Sequence, residues 1–298
     1  RFIAIATKIK QEIADKHILA PYESNLIPLP HQILVLEKVM QGVQTRFMLA
    51  DEVGMGKTIE AGLVLKEKKL RGEVKRVLLV VPKSAMLQWQ SEMKEHFAEN
   101  FFIYDSSLIT SMAKTFASFD AEEELNFWRQ HNQIIVSIDA LKPIESRQGW
   151  NQERVDAYNK YRLEMVVNAD FDMVIIDEAH RMGGSSTSVS RFKMAEVLCN
   201  AVPNLLLLTA TPHRGKSDHF RRLLQLMDAD AFSGEGMPCI EDIQPYVMRS
   251  EKRFAVDYDG KKLFNERTTV RLDVLLDPLR HAAQIALYDH ITDYVRIC

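Results

Sequence analysis

The feature that most constrains this chain is a rhythm of short apolar runs, each followed by a polar turn and a helix-like stretch. The runs fall at 47–50, 77–81, 101–104, 134–138, 173–177 and 205–209. Each is solidly apolar rather than alternating, which is the pattern of strands covered on both faces. Buried strands separated by helices predict an α/β domain, a mostly parallel sheet with helices on both faces. Ser84 reads as the N-cap of a helix that puts Met86, Trp89, Met93 and Phe97 on one face, and Gly72 as the C-cap of the helix before it. Trp89 is thereby assigned to the core. Segments 105–133 and 145–170 are longer than a plain crossover needs and read as polar helical insertions. From about Ser250 the alternation stops, and residues 250–298 read as a connector leading out of the domain.

Composition narrows the class without choosing a function. The 298 residues suffice for one large or two small domains, and 46% hydrophobic with 27% charged residues is ordinary for a globular protein. The apolar runs are strand-length, far short of the roughly 18–20 residues that span a bilayer. The first residues, "RFIAIATKIKQ", have no sustained apolar core or cleavage site of a signal peptide. A chain that opens on Arg1 is expected to be a piece of something longer. Cys199, Cys239 and Cys298 have no metal spacing and fit a reducing compartment. With a net charge of −3, any grip on nucleic acid must come from a local patch rather than a basic surface.

Residues 53–58, "VGMGKT", follow a predicted strand and open a predicted helix, the context that a phosphate-binding loop requires. Gly54 and Gly56 let the backbone curl so that its N–H groups converge on phosphate oxygens, and the helix N-terminus adds partial positive charge. Lys57 can then reach the β- and γ-phosphates and Thr58 can ligate Mg²⁺. The candidate ATP-binding residues at the loop are Asp51, Glu52, Val53, Gly54, Met55, Gly56, Lys57 and Thr58. The complementary half is "FDMVIIDEAH", an apolar strand ending in Asp177 and Glu178. At the carboxyl end of a parallel strand, Asp177 suits Mg²⁺ through its water shell and Glu178 suits taking a proton from the attacking water. Lys57, Asp177 and Glu178 form the candidate catalytic set, with Thr58 and Asp177 as metal ligands.

"DEVGMGKT", "DEAH" and "LLLLTATPHRG" together resemble the superfamily two helicase-related ATPases, specifically the SWI/SNF-type branch that includes bacterial RapA-like proteins. That branch's first motif reads DE-x-G-x-GKT, so Asp51 is a family variant at a position usually held by glycine. The resemblance implies a RecA-like P-loop NTPase lobe over residues 28–249, a lead segment at 1–27, and a connector at 250–298 toward a second lobe. Further motifs follow in order. "LIPLPHQ" resembles the adenine-side motif with Gln32 facing the base edge, the alternative being an ordinary helix-start glutamine. "VPKSAMLQWQ" implies nucleic-acid contacts by Lys83 and Gln88. "IIVSIDALK" implies one by Ser137, where a capping serine is the alternative. Thr209 and Thr211 of "TATPHRG" would couple the phosphate site to the nucleic-acid path, with His213 and Arg214 as weaker candidates. The tail "VMRSEKRFAVDYDGKKLFNER" resembles the run that follows the first lobe in prokaryotic members.

The implied activity is ATP hydrolysis with Mg²⁺, driving translocation on double-stranded DNA that remodels or displaces bound protein. The resemblance also implies a bacterial cytoplasmic, nucleoid-associated setting, remodelling or defence partners, and no membrane. No second P-loop core occurs in the 298 residues, so the chain is expected to be an isolated first lobe that hydrolyses ATP poorly without the arginine of the second. A strand-separating DNA or RNA helicase and the motor of a restriction or anti-phage system share the same residues. A degenerate, non-enzymatic adaptor is disfavoured by intact Lys57, Thr58, Asp177 and Glu178. The insertions "FASFDAEEELNFWRQ" and "ERVDAYNKYRLEMVV" could bind partners or simply be solvated. The Gly/Ser-rich run "RMGGSSTSVSRF" is expected to be mobile and to order on substrate binding.

Overall fold

The computed structural model describes residues 18–42, 45–117, 126–183, 189–212, 217–234, 236–265, 270, 277 and 279–297. Seven strands form one sheet: β1 (Arg46–Leu49), β2 (Val77–Val81), β3 (Phe102–Tyr104), β4 (Gln133–Ser137), β5 (Met173–Ile176), β6 (Asn204–Leu208) and β7 (Val247–Met248). Their order is β3-β4-β2-β5-β6-β1-β7 and every pairing is parallel. Six coincide with the apolar runs to within a residue at either end. The seventh is new. Only two residues long, β7 is too short for its own periodicity to show, and it exists because Val247 and Met248 pair with Met48 and Leu49.

Successive strand residues point to opposite faces, so the apolar runs build two cores. Leu78, Val80, Ile134, Val136, Val174 and Ile176 are buried on one face. Val77, Leu79, Val81, Ile135, Met173 and Ile175 are buried on the other. Helices α1 (Pro30–Met40), α2 (Lys57–Leu70) and α3 (Met86–Phe97) cover the second face, through Val35, Leu36, Leu63, Val64, Trp89 and Met93 among others. Helix α4 is Ser106–Ala117 and α5 is the short Ile138–Leu141, followed by α6 (Gln152–Val167). Helices α7 (Val189–Asn200) and α8 (Ser217–Met227) pack on the first face through Leu198, Leu223 and Leu224. The segment 105–133 holds α4 and 145–170 holds α6, so both insertions are helical where described.

Two helix-end expectations are refined. Gly72, at φ 76°, sits just past the C-cap Arg71 of α2, in the left-handed conformation glycine favours. Ser84, by contrast, does not cap α3: a 3₁₀ turn over Lys83–Ala85 precedes it, and the N-cap Ala85 offers no side-chain acceptor. Pro82 starts that turn one residue early, and Ser84 is left exposed within it. The first compact unit runs to Phe264, so residues 250–264 pack with the lobe and are not a free connector. The second unit, Asn265–Cys298, contains helix α9 (Ala282–Ile297).

Candidate active site

In an all-parallel sheet the carboxyl ends of the strands share one edge. The P-loop leaves β1, the "TAT" turn leaves β6 and the acid pair leaves β5, and these three strands are neighbours in the order β5-β6-β1. Backbone bonds extend the ladder into the motifs: Thr209 N–H donates to Leu49 O at 3.0 Å and Asp177 N–H to Val80 O at 2.9 Å. Three motifs separated by up to about 150 residues of chain are therefore side by side.

The loop itself is shaped by Gly54 and Gly56, at φ 81° and 87°. A Cβ at Gly56 would come within 2.4 Å of the Gln32 side-chain nitrogen, so a side chain there would be strained in φ and would displace the Gln32 amide from Met55 O. Gln32 is buried and doubly used: its Oε1 accepts from Leu29 N–H at 2.9 Å and its Nε2 donates to Met55 O at 3.2 Å. His31 Nε2 stands 2.9 Å from the same carbonyl. Gln32 thus shapes the loop from behind; an approach to a base edge would have to be shared with that role. Met55 is buried, whereas Val53 is 70% exposed at the loop's crest. Lys57, the first residue of α2, donates through Nζ to Asp51 O at 2.8 Å and lies 3.4 Å from Glu52 O. Thr58 follows it on the first turn of α2, half-buried.

Beneath the loop lies an arrangement that the motifs did not announce. Asp51 and Glu60 are fully buried, and neither Glu60 oxygen meets a donor among the described residues. Burial, then the charge of Asp51 and a hydrogen bond to it, push the Glu60 carboxyl well above the usual carboxylate range, against the pull of Lys57. The buried Glu60 carboxyl therefore holds its proton more strongly than an ordinary glutamate does. Asp51 Oδ1 accepts Ser250 N–H at 2.7 Å, and the Glu52 carboxylate accepts Lys252 N–H at 3.0 Å. The "DE" that precedes the glycine loop therefore anchors the chain at 250–252 rather than facing phosphate.

Asp177 is held by two donors. The Trp89 indole N–H donates to Oδ2 at 3.0 Å and the Glu178 amide to Oδ1 at 2.8 Å. Burial raises its pKa above the ordinary value, and both donors and the Lys57 charge oppose that rise. The Lys57 charge thus acts on Asp177 from the neighbouring motif, both lying at the carboxyl edge of the sheet. Trp89 is core, as its face predicts, but its indole nitrogen also serves the acid. Glu178 takes a left-handed φ of 50°, uncommon for a side chain with a Cβ, and its side chain is 43% exposed toward the edge. His180 Nδ1 stands 3.0 Å from Glu178 Oε2 and 3.1 Å from Thr209 Oγ1, and Thr211 N–H donates to Thr209 Oγ1 at 3.2 Å. A continuous polar chain joins the acid pair to the "TAT" turn. His180 was missed as a site residue, although its place in "DEAH" was the available signal.

The nucleic-acid candidates divide. Lys83 and Gln88 are both exposed, at the 3₁₀ turn and first turns of α3, with Gln88 Nε2 donating to Glu92 at 2.7 Å. Ser137 is buried, and its Oγ caps α5 by accepting Ala140 N–H at 3.1 Å, so the capping alternative describes it. His213 and Arg214 lie outside the described residues, as do 184–188 of the Gly/Ser-rich run and 118–125 of the first insertion.

The residues present fit a magnesium nucleotide. The loop turns at two left-handed glycines and leads into a helix that starts at a lysine, while Thr58 and Asp177 offer the hydroxyl and carboxylate that a hard cation takes. A family model described as the SNF2-related domain matches residues 31–236. This chain belongs to the SNF2-related family. The RNA polymerase-associated protein RapA of Actinobacillus succinogenes is 37% identical over 206 residues, covering 68% of this chain and 19% of the relative. The RapA of Yersinia pestis is 37% identical over 207 residues, with the same shares. The chain spans about a fifth of the length of these relatives. The Sulfolobus solfataricus SWI2/SNF2 ATPase core in complex with dsDNA matches with a TM-score of 0.56 at 19% identity, over 79% of this chain and 47% of that one. The same core domain in another structure matches at 0.55 and 19% identity, over 80% and 46%. The family resemblance and the RecA-like α/β lobe expected from the motifs are both borne out. No helix among the described residues is long and apolar enough to cross a membrane.

Proposed function

We propose that this lobe binds and hydrolyses ATP as the first half of a DNA-dependent SNF2-type motor that translocates on double-stranded DNA and displaces or remodels bound protein. The observation that carries the reading is that the Lys57 loop and the Asp177–Glu178 pair flank one strand on one edge, within electrostatic reach of each other. ATP would lie with its phosphates in the loop amides and on Lys57. Mg²⁺, which neutralises developing charge on the phosphates, would be held by Thr58 and Asp177. Glu178 would be the proton acceptor for the attacking water, a reading supported by its half-exposed carboxylate beside His180 at the sheet edge. The chain His180–Thr209–Thr211 offers a route by which occupancy of the acid pair alters the turn beyond β6.

The double-stranded DNA substrate is supported by the SWI2/SNF2 core that was solved with dsDNA, and a link to transcription by the polymerase association in the relatives' names. A cytoplasmic, nucleoid-associated protein is part of the same reading. The test is turnover by the intact protein with and without duplex DNA, together with triplex displacement on an unbroken duplex. Lys57→Ala should abolish turnover and weaken ATP binding, and Glu178→Gln should abolish turnover while ATP still binds. Unchanged turnover in either variant would remove that residue from the site, and strand separation on a forked duplex would favour the helicase alternative.

A further inference from the structure

The segment leaving the sheet returns to the P-loop. After β7 the chain at Ser250 and Lys252 is fixed by its own amides to the carboxylates of Asp51 and Glu52, and Glu52 N–H reaches back to Ser250 O at 3.3 Å. A 3₁₀ turn follows at Lys252–Phe254. Further on, Tyr258 O–H donates to Pro28 O at 2.7 Å, which ties the same segment to the turn before α1. Residues 250–258 thus form a strap lying along the nucleotide side of the lobe from the glycine loop to the Gln32 motif.

Lys252 is the strap's charged residue at the loop. Its Nζ lies 3.6 Å from where a Cβ on Gly54 would stand, and its Cε 3.9 Å. The ammonium also sits over the Phe264 ring at 5.1 Å from the centroid. No ion pair is formed by Lys252 among the described residues: Glu52 receives its backbone amide, and neighbouring Glu251 pairs with Arg253. An ammonium beside a phosphate-binding loop with an aromatic face behind it, and unpaired with any carboxylate among the described residues, is placed to meet an anion there.

We propose that Lys252 is a second phosphate-binding cation of this site, one that contacts the polyphosphate of a bound nucleoside triphosphate from the strap side of the loop. The proposal rests on the nucleotide reading of the P-loop.

The test measures equilibrium binding of ATP, ADP and AMP to the intact protein and to its Lys57→Ala, Lys252→Ala and Lys252→Arg variants, alongside nucleotide-free melting temperatures. Loss of one charge-assisted contact predicts about a tenfold weaker ATP affinity for Lys252→Ala, a smaller loss for AMP, and recovery of most of it in Lys252→Arg. The melting temperature should be unchanged, and the salt dependence of ATP affinity should become shallower. ATP affinity unchanged in Lys252→Ala but lost in Lys57→Ala would overturn the proposal and leave the site reading standing. A loss matched for ATP and AMP together with a lowered melting temperature would assign Lys252 to packing and also overturn it. No nucleotide binding by the unaltered protein would instead defeat the site reading itself.

Discussion

Glu60 is a carboxyl buried at the base of a phosphate loop, and its protonation sets a pH dependence. An acid whose folded pKa is raised binds a proton in the folded state that the unfolded chain releases near pH 4.5. Between that pH and the raised folded value the native protein holds more protons, so stability falls as pH rises through the window. Glu60→Gln keeps a neutral donor toward Asp51 and removes the ionisable proton. The variant should therefore melt higher than the parent at pH 8, with the difference shrinking toward pH 4; nucleotide-free, metal-chelated samples in a thermal melt read this directly. Equal melting curves across that range would mean that Glu60 ionises freely. Trp89 supplies a second residue-scale outcome. Trp89→Phe preserves an aromatic ring in the core but deletes the indole donor to Asp177. Turnover should then require several-fold more Mg²⁺ with kcat at saturating Mg²⁺ less affected, since one hydrogen bond to a carboxylate is worth about 1.5–3 kcal/mol at most. An unaltered Mg²⁺ titration would confine Trp89 to packing.

At the scale of elements, the decisive contact is the crossing of α2 over α3. Gly62, inside α2, faces the Phe97 ring, and a Cβ there would fall 2.1 Å from Phe97 Cε2. Phe97 is fully buried in the core between helices and sheet, so its ring has nowhere to go. Ala has the better helix propensity by up to about 1 kcal/mol, yet overpacking of a rigid ring costs about 1–3 kcal/mol. Gly62→Ala should destabilise the lobe, and Gly62→Ala combined with Phe97→Leu should recover part of the loss. A stabilised single variant in a denaturant titration would show that the helices can separate cheaply. Because α2 begins at Lys57, such a shift would also displace the lysine, and ATP affinity should fall with stability.

At the scale of the whole molecule, the question is whether this lobe carries a complete hydrolytic site. Among the described residues there is one parallel sheet and one glycine loop, and no arginine side chain bonds Asp177 or Glu178. In comparable phosphoryl-transfer enzymes an arginine reaching the transferred phosphate is worth about 10³–10⁵ in rate. The 298-residue chain assayed alone should bind nucleotide yet turn over ATP slowly, whether or not duplex is present. Brisk DNA-stimulated hydrolysis by this chain would show that the lobe carries its own full machinery. In the intact protein, DNA-stimulated turnover should decline steeply with added salt at subsaturating duplex, as expected for a motor that grips phosphates rather than bases.

What the linear sequence determined was everything that local chemistry dictates. Runs of residues apolar on both faces can only be buried strands, which gave six strands and the parallel α/β class. Glycines at 54 and 56, a lysine at the helix start, and acids at the end of an apolar strand carry their chemistry in their spacing, so the candidate site was legible before any fold was known. What only the tertiary structure decided involves partners distant along the chain. β7 is two residues that become a strand by pairing with β1. Ser137 proved to be a buried cap, and Gln32 a brace for Met55. Trp89 reaches Asp177 across 88 positions, and the amide of Lys252 reaches Glu52 across 200. Residues 250–264 pass for a charged linker on composition, because their hold on the lobe comes from backbone amides bonding to carboxylates far upstream. Backbone amides are the same in every residue but proline, so such a contact leaves no trace in composition or periodicity.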